Sequence, residues 1–279
     1  MDTRLNPTLQ RRALLQLMSA ALAAAPLRGQ AAPSTAERRI ALVIGNGAYK
    51  SAPLKNPVGD AVAVAASLRQ LNYEVTLRQN TSLVELVEAL REFSMRGATS
   101  AVRLLFYAGH GIQARGRNYL LPVDVALQGE DEIAAKCADV GEFIDRLTAI
   151  KQGLNLVVLD ACRVNPFAEG VFVGPDGRRL TFRGLALTGL APLGAPVGTL
   201  VAFSTAPNGV ALDGPTGEHS IYAKHLLAHM QTPGLPVEQL FKRVRIGVAE
   251  ETKRVQVPWE SSSLTTDFCF KNGAQGRCG

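Results

Sequence analysis

The chain has 279 residues, 47% of them hydrophobic and 19% charged, with a formal net charge of +6. That length allows one large domain or two small ones, and the composition is that of a globular protein with a full core. Arg4, Arg11, Arg12 and Arg28 against Asp2 place a net +3 in the first 32 residues, which leaves about +3 (6 less 3) for the rest. That is too little charge to argue for a nucleic-acid partner.

Residues 1–32 read as an export signal. Arg11-Arg12 precede an apolar run from Ala13 to Ala25, and small residues follow through Ala31-Ala32. A charged region, a short apolar region and a small-residue cleavage zone make up a secretory signal. The run is too short for a membrane span, which takes about 20 apolar residues, so no stable span is expected after its removal. The paired arginines with Leu14 and Leu15 suggest the twin-arginine route; an ordinary secretory signal containing two arginines is the alternative. Either places the protein outside the cytoplasm, in the periplasm of a bacterium.

Beyond residue 38 strands and helices alternate. Ile40–Ile44 is an apolar run of strand length. Asp60–Leu71 carries Ala61, Val64, Ala65 and Leu68 at helical spacing. Tyr73–Leu77 reads as a second strand. Ser82-x-x-Glu85 is a capping box with Leu83, Leu86, Val87 and Leu90 as the buried stripe behind it. Val102–Tyr107 is a third strand. Asp139-x-x-Glu142 opens a helix with Val140, Phe143, Ile144 and Leu147 inward. Leu156–Leu159 and Thr199–Ser204 are further strands, and helices over Ser220–Met230 and Val237–Glu250 close the pattern. Such alternation implies a mainly parallel sheet covered on both faces, with ligands beyond the carboxyl ends of the strands.

Two strand ends then carry chemistry. One ends in Tyr107-Ala-Gly-His110-Gly111, the other in Asp160-Ala-Cys162-Arg163. If these strands are neighbours, an imidazole and a thiol emerge at one edge. A nearby imidazole promotes the thiolate, which is the nucleophilic form. The glycines flanking His110 permit close backbone approach, and the backbone amides of Gly111 and Cys162 are candidate donors to a tetrahedral oxyanion. Taken singly, a buried filler cysteine and a structural histidine in a glycine turn are the plainer readings.

The combination resembles the caspase and metacaspase clan. Gly109-His110-Gly111 and Ala161-Cys162-Arg163 set His110 and Cys162 52 positions apart (162 less 110), close to the caspase spacing of about 50 residues. Asp160 stands where caspases have glutamine and Val164 where they have glycine, a pattern more like metacaspases and bacterial caspase-like proteins. Ala41–Gly45, YAGHG at 107–111, DACRVNPF at 160–167, AFSTAP at 202–207, VALDG at 210–214 and VPWESSSL at 257–264 share that likeness, which covers a domain over about 38–272.

The resemblance implies an α/β fold, a three-layer αβα sandwich with a mainly parallel sheet of about six strands. It implies a cysteine endopeptidase in which Cys162 attacks and His110 acts as general acid and base. Metacaspases cut after arginine or lysine with acidic pockets. Asp160 matches the acid before the cysteine, and Asp60 matches the second acid, with Gly59 replacing the family's asparagine. Two carboxylates would hold a guanidinium, so the expected partners are peptides or proteins with basic residues. Asp60 also suits a helix N-cap, and Asp160 a turn cap. A catalytically silent binding module with the same fold is the alternative to an enzyme.

The basic, glycine-rich stretch Phe167–Pro196 matches the linker between the clan's large and small parts. Arg178, Arg179 and Arg183 there raise self-cleavage, against a plain surface loop. Calcium, required by some metacaspases, finds oxygen donors in Asp124, Glu130, Asp131 and Glu132, but no defined calcium loop; no cofactor or metal is otherwise implied. Gly45-Asn46-Gly47 lacks the third glycine of a dinucleotide fingerprint, since Lys50 occupies that position. His225 and His229, four apart on a helix, have no intervening glutamate for metalloprotease chemistry. Of Cys137, Cys162, Cys269 and Cys278, the last two close a short loop and could pair after export; four free thiols is the alternative.

Overall fold

The computed structural model describes residues 38–162, 168–173, 179–184, 193–207, 209, 211–215, 217–274, 276 and 278, the backbone alone for 162, 168–173 and 179–184. The export signal read at 1–32 lies outside the described residues. The strands are β1 (Arg39–Gly45), β2 (Tyr73–Gln79), β3 (Val102–Ala114), β4 (Arg117–Leu120), β5 (Ala138–Asp139), β6 (Leu154–Cys162), β7 (Ala168–Val173), β8 (Arg179–Gly184), β9 (Thr199–Phe203) and β10 (Trp259–Ser262). The helices are α1 (Pro57–Gln70), α2 (Leu83–Gly97), α3 (Ile133–Lys136), α4 (Val140–Thr148), α5 (Ile221–Met230) and α6 (Val237–Glu251).

Six strands form the main path of the sheet in the order β10-β9-β6-β3-β1-β2. All neighbours on it are parallel except β10, which runs antiparallel to β9. The two faces separate by alternate residues. Ala41, Val43, Leu104, Phe106, Leu156, Val158, Leu200 and Ala202 pack with α1, α5 and α6. Ile40, Leu42, Ile44, Leu105, Val157, Leu159, Val201 and Phe203 pack with α2 and α4. Strands buried on both faces read as continuous apolar runs, which is what helices on both sides of a parallel sheet require. The arrangement is the expected three-layer αβα sandwich.

The helix starts follow local chemistry. Ser82 and Glu85 complete the capping box in front of α2, with the Glu85 carboxylate accepting from the Ser82 N–H at 2.8 Å. Asp139 caps α4 by accepting from the Glu142 N–H. Helix α1 begins at Pro57, three residues before the expected start, because proline at the first helical position lacks an N–H that would have no partner there. Asp60 therefore lies inside the first turn and is not the N-cap.

Three other expectations change. Strand β3 does not stop at the glycines. It continues to Ala114 and turns through Arg115 and Gly116, both at positive φ (50° and 77°), into β4. Two consecutive positive φ values suit a tight hairpin, so His110 sits in extended strand rather than in a glycine turn. The stretch read as a loop over 167–196 contains the antiparallel pair β7 and β8, whose Val171, Phe172, Val173, Leu180, Thr181 and Phe182 favour strand. Arg179 and Arg183 belong to β8, while Arg178 lies outside the described residues.

At the opposite edge from the candidate site, Arg103 ties the layers together. Its guanidinium is fully buried and donates to Asn155 Oδ1 (2.6 Å) and to the carbonyls of Gly97, Ser100 and Gln152. Burial among these neutral acceptors lowers its pKa. The C-terminal segment is held by Arg39, which lies against the rings of Tyr73 and Phe268 and donates to the Phe270 carbonyl. Cys269 and Cys278 form a disulfide. Cys137 is free and buried, its thiol pushed up to about 12 by burial, which makes it a poor nucleophile.

Candidate active site

His110 is held from three sides. Gly109 precedes it at φ 154°, and a Cβ there would stand 2.6 Å from the Tyr49 hydroxyl and 2.9 Å from that of Tyr107. Only glycine admits both hydroxyls. Tyr49 accepts from the His110 N–H at 2.9 Å, and Tyr107 donates to the His110 carbonyl at 2.8 Å. The Tyr49 ring lies 4.4 Å from the imidazole, tilted by 52°.

The imidazole itself is polarised by its partners. Nε2 lies 2.7 Å from the Ala52 carbonyl oxygen. A carbonyl only accepts, so in the neutral ring the proton sits on Nε2 and Nδ1 carries the free lone pair. Nδ1 is buried with no hydrogen-bond partner among the described residues. Burial pulls the His110 pKa below its ordinary value, opposed by the Ala52 carbonyl and the charge of Asp213. A neutral imidazole with an unused basic nitrogen is what a general base requires.

Cys162 closes β6. Strands β3 and β6 are parallel neighbours, and their register pairs His110 directly with Cys162 and Ala108 with Asp160. The topology thus brings the two sequence-predicted dyad positions side by side. The Cys162 side chain and residues 163–167 lie outside the described residues. Gly111 stands opposite Leu120 of β4, next to the His110 carbonyl that accepts from the Leu121 N–H.

Asp60 and Asp160 come together as well, in a pocket lined also by Leu54, Pro57, Ala108, Gly109, Asp213 and Ser220. Asp60 is 1% exposed and Asp160 8%. Ser220 bridges them: its N–H donates to both oxygens of Asp60 (3.3 and 3.2 Å), and its hydroxyl donates to Asp160 Oδ2 at 2.5 Å. Ser220 Oγ also accepts from the Ala223 N–H as the cap of α5, so the helix start fixes the bridge. His219 Nδ1 meets Asp60 Oδ1 at 2.7 Å. Asn56 clamps the opposing loop, donating to the carbonyls of Asp213 and Pro215 and accepting from the Gly217 N–H. Burial raises Asp160 to about 7, with Asp60 and Asp213 adding repulsion and the Ser220 hydroxyl opposing it. Asp60 is raised too, chiefly by burial and against the pull of His219 and the Ser220 N–H. Among the described residues no lysine or arginine lines the pocket, so two buried carboxylates beside a third form a site short of a cation.

A family description, Caspase domain, matches residues 38–269. The chain belongs to the caspase-domain family. Within it, the chain is 33% identical over 129 residues to mucosa-associated lymphoid tissue lymphoma translocation protein 1 of Homo sapiens, covering 46% of this chain and 15% of that protein. The Mus musculus homolog gives the same figures. Mus musculus caspase-1 is 24% identical over 244 residues, covering 81% of this chain and 57% of its own length. The chain therefore spans less than two thirds of each of these relatives. The caspase-domain match contains His110, Cys162, Asp60 and Asp160.

Sequence reasoning missed the Ala52 carbonyl, Tyr49, Asp213, Ser220 and His219. A backbone oxygen has no side-chain signature, Asp213 stands in the VALDG stretch without a role of its own there, and Tyr49, His219 and Ser220 lie outside the quoted motifs. The Ser220-x-x-Ala223 helix start was the one local signal. Several of the other singled-out residues have structural partners. His225 pairs with Glu251 at 2.8 Å. Asn46, within Gly45-Asn46-Gly47, is buried and latches Thr81 and the Leu121 carbonyl. Asp124 accepts from the Leu83 N–H at the start of α2, and Glu132 binds Lys136 and the Gln128 N–H. Among the described residues, no group of three or more histidine, cysteine, aspartate or glutamate side chains is placed to hold a metal ion, and no helix is long and apolar enough to cross a membrane.

Proposed function

We propose that this caspase-domain chain is a cysteine endopeptidase that cleaves after arginine or lysine with a His110–Cys162 dyad. The observation that carries the reading is the register that sets His110 beside Cys162 while Nδ1 of His110 has no hydrogen-bond partner among the described residues. In the mechanism, Nδ1 takes the Cys162 thiol proton and the thiolate attacks the scissile carbonyl carbon. The amides of Gly111 and Cys162 receive the oxyanion. His110 returns the proton to the leaving amine, giving a thioester. Water, deprotonated by the same nitrogen, then releases the acid and restores the thiol.

The pocket supports the choice of a basic residue. Asp60 and Asp160 lie at the end of the sheet where His110 and Cys162 sit, and a guanidinium would relieve the charge repulsion that burial forces on them. The disulfide supports export through the signal at 1–32, since such bonds persist outside the reducing cytoplasm. Calcium dependence enters the test as a separate arm. Fluorogenic peptides with Arg, Lys or Asp before the scissile bond, assayed with and without calcium beside Cys162→Ala, test the reading. Cleavage after Arg or Lys that vanishes in the variant is expected. Cleavage after Asp would overturn the pocket assignment, and activity surviving Cys162→Ala would overturn the dyad.

A further inference from the structure

The acidic pocket contains its own ionisable counter-group. His219 touches Asp60 at 2.7 Å, and its side chain is 37% exposed while Asp60 is 1% exposed. It is not among the residues that line the cavity, and its part-exposed ring approaches the carboxylate from the solvent side. An imidazole is the side chain whose ordinary titration crosses the range between pH 5 and 8. In its neutral form it donates one hydrogen bond to Asp60 and adds no charge. In its protonated form it cancels a unit of the pocket's negative charge.

We propose that His219 is a specificity-determining residue that sets the affinity of the pocket for basic side chains according to pH. With His219 neutral, Asp60 is available to a substrate cation. With His219 protonated, Asp60 already has its counter-charge and the substrate binds more weakly. The inference rests on the reading of this pocket as the guanidinium site and goes beyond it by naming what tunes it.

Among the described residues, the other charged groups around the pair are few. Asp160 at the end of β6 shares the Ser220 bridge. Asp213 lines the pocket from the loop before His219 and accepts from the Lys55 N–H. Glu218 is the exposed neighbour of His219. Lys224, one turn into α5, is held by Glu251 at 2.8 Å. His110 lies across Asp213 and belongs to the dyad. Asp160 also loses charge on acidification, so a fall in affinity at low pH does not by itself implicate His219. The comparison with a variant that cannot titrate there does.

His219→Asn keeps an N–H able to reach Asp60 but cannot become a cation. His219→Lys carries the charge at every pH used. The probe is Nα-acetyl-arginine amide, titrated calorimetrically into full-length protein carrying Cys162→Ala, with the uncharged citrulline analogue as control. Between about pH 8 and about pH 5.5, the protein with His219 is expected to lose about tenfold more affinity for the arginine probe than His219→Asn does, the size of one cancelled charge across a partly solvated pocket. His219→Lys is expected to bind weakly at both. Identical pH dependence with histidine and asparagine, the arginine probe still preferred over citrulline, would overturn the inference and leave the pocket reading intact. Failure of the arginine probe to bind any variant at about pH 8 would overturn the pocket reading itself, and this inference with it.

Discussion

Replacing Asp160 by asparagine separates stability from binding. Burial raises the Asp160 carboxyl from an ordinary 3.8 to about 7. Between those values the folded chain keeps a proton that the unfolded chain has released. Raising the pH through this window therefore removes stability, and the loss is complete above about pH 7. At about 1.4 kcal/mol per pH unit, the interval gives an upper bound of about 4 kcal/mol. The asparagine carbonyl can still accept from the Ser220 hydroxyl, so the bridge to α5 survives. Urea unfolding at several pH values is the assay. Asp160→Asn is expected to match the parent within about 1 kcal/mol near pH 4 and to exceed it by about 2–4 kcal/mol near pH 8.5. Cleavage after arginine should fall at least about tenfold, mainly through KM, because one of the paired carboxylates is gone. A stability difference that does not change with pH would refute the argument, since it would mean that Asp160 pays no burial cost in ionising.

Other substitutions probe the frame around His110. Gly109→Ala should lose about 2 kcal/mol or more in urea unfolding, with most of the activity, because its Cβ would run into the hydroxyls of Tyr49 and Tyr107. Tyr49→Phe deletes the acceptor of the His110 N–H and should cost about 1–3 kcal/mol, with kcat falling more than KM rises; equal effects on both would remove its positioning role. Because burial lowers the His110 pKa, the neutral base persists on acidification, and the acid limb of kcat should lie below the ordinary histidine value of about 6.5. Arg103→Met strands the carbonyls of Gly97, Ser100 and Gln152 and should destabilise by about 3 kcal/mol or more in the same unfolding assay.

Much of this architecture is legible along the chain because parallel strands buried on both faces must be apolar throughout. Ile40–Ile44 and Leu156–Leu159 carry that mark, and the helical stripes of α1, α4 and α6 supply the covering layers. Boundaries were less legible where a second rule competed. Pro57 moved the start of α1 ahead of its first apolar repeat. The glycines around His110 mimic a strand stop, although Gly109 serves instead to admit two tyrosine hydroxyls. The strands β4 and β10 are short and half polar, so neither shows a periodicity that distinguishes it from loop.

The site follows the same division. Cys162 closes β6 and His110 lies within β3 just past its apolar run, and the register of the two strands places them side by side. Asp60 and Asp160 were singled out through their motifs, and the fold brings them into one pocket. Ser220 and His219 were not, because they reach the pocket from a loop about 160 residues after Asp60, through contacts that only the folded chain creates.

The most direct test of the central claim is the site labelled by a peptidyl-arginine chloromethyl ketone, located by peptide mass mapping. The expected result is one adduct, on the Cys162 sulfur with loss of chloride, none on buried Cys137, and none from the aspartyl analogue under the same conditions. An adduct elsewhere, or equal labelling by the aspartyl reagent, would contradict an arginine-directed His110–Cys162 peptidase.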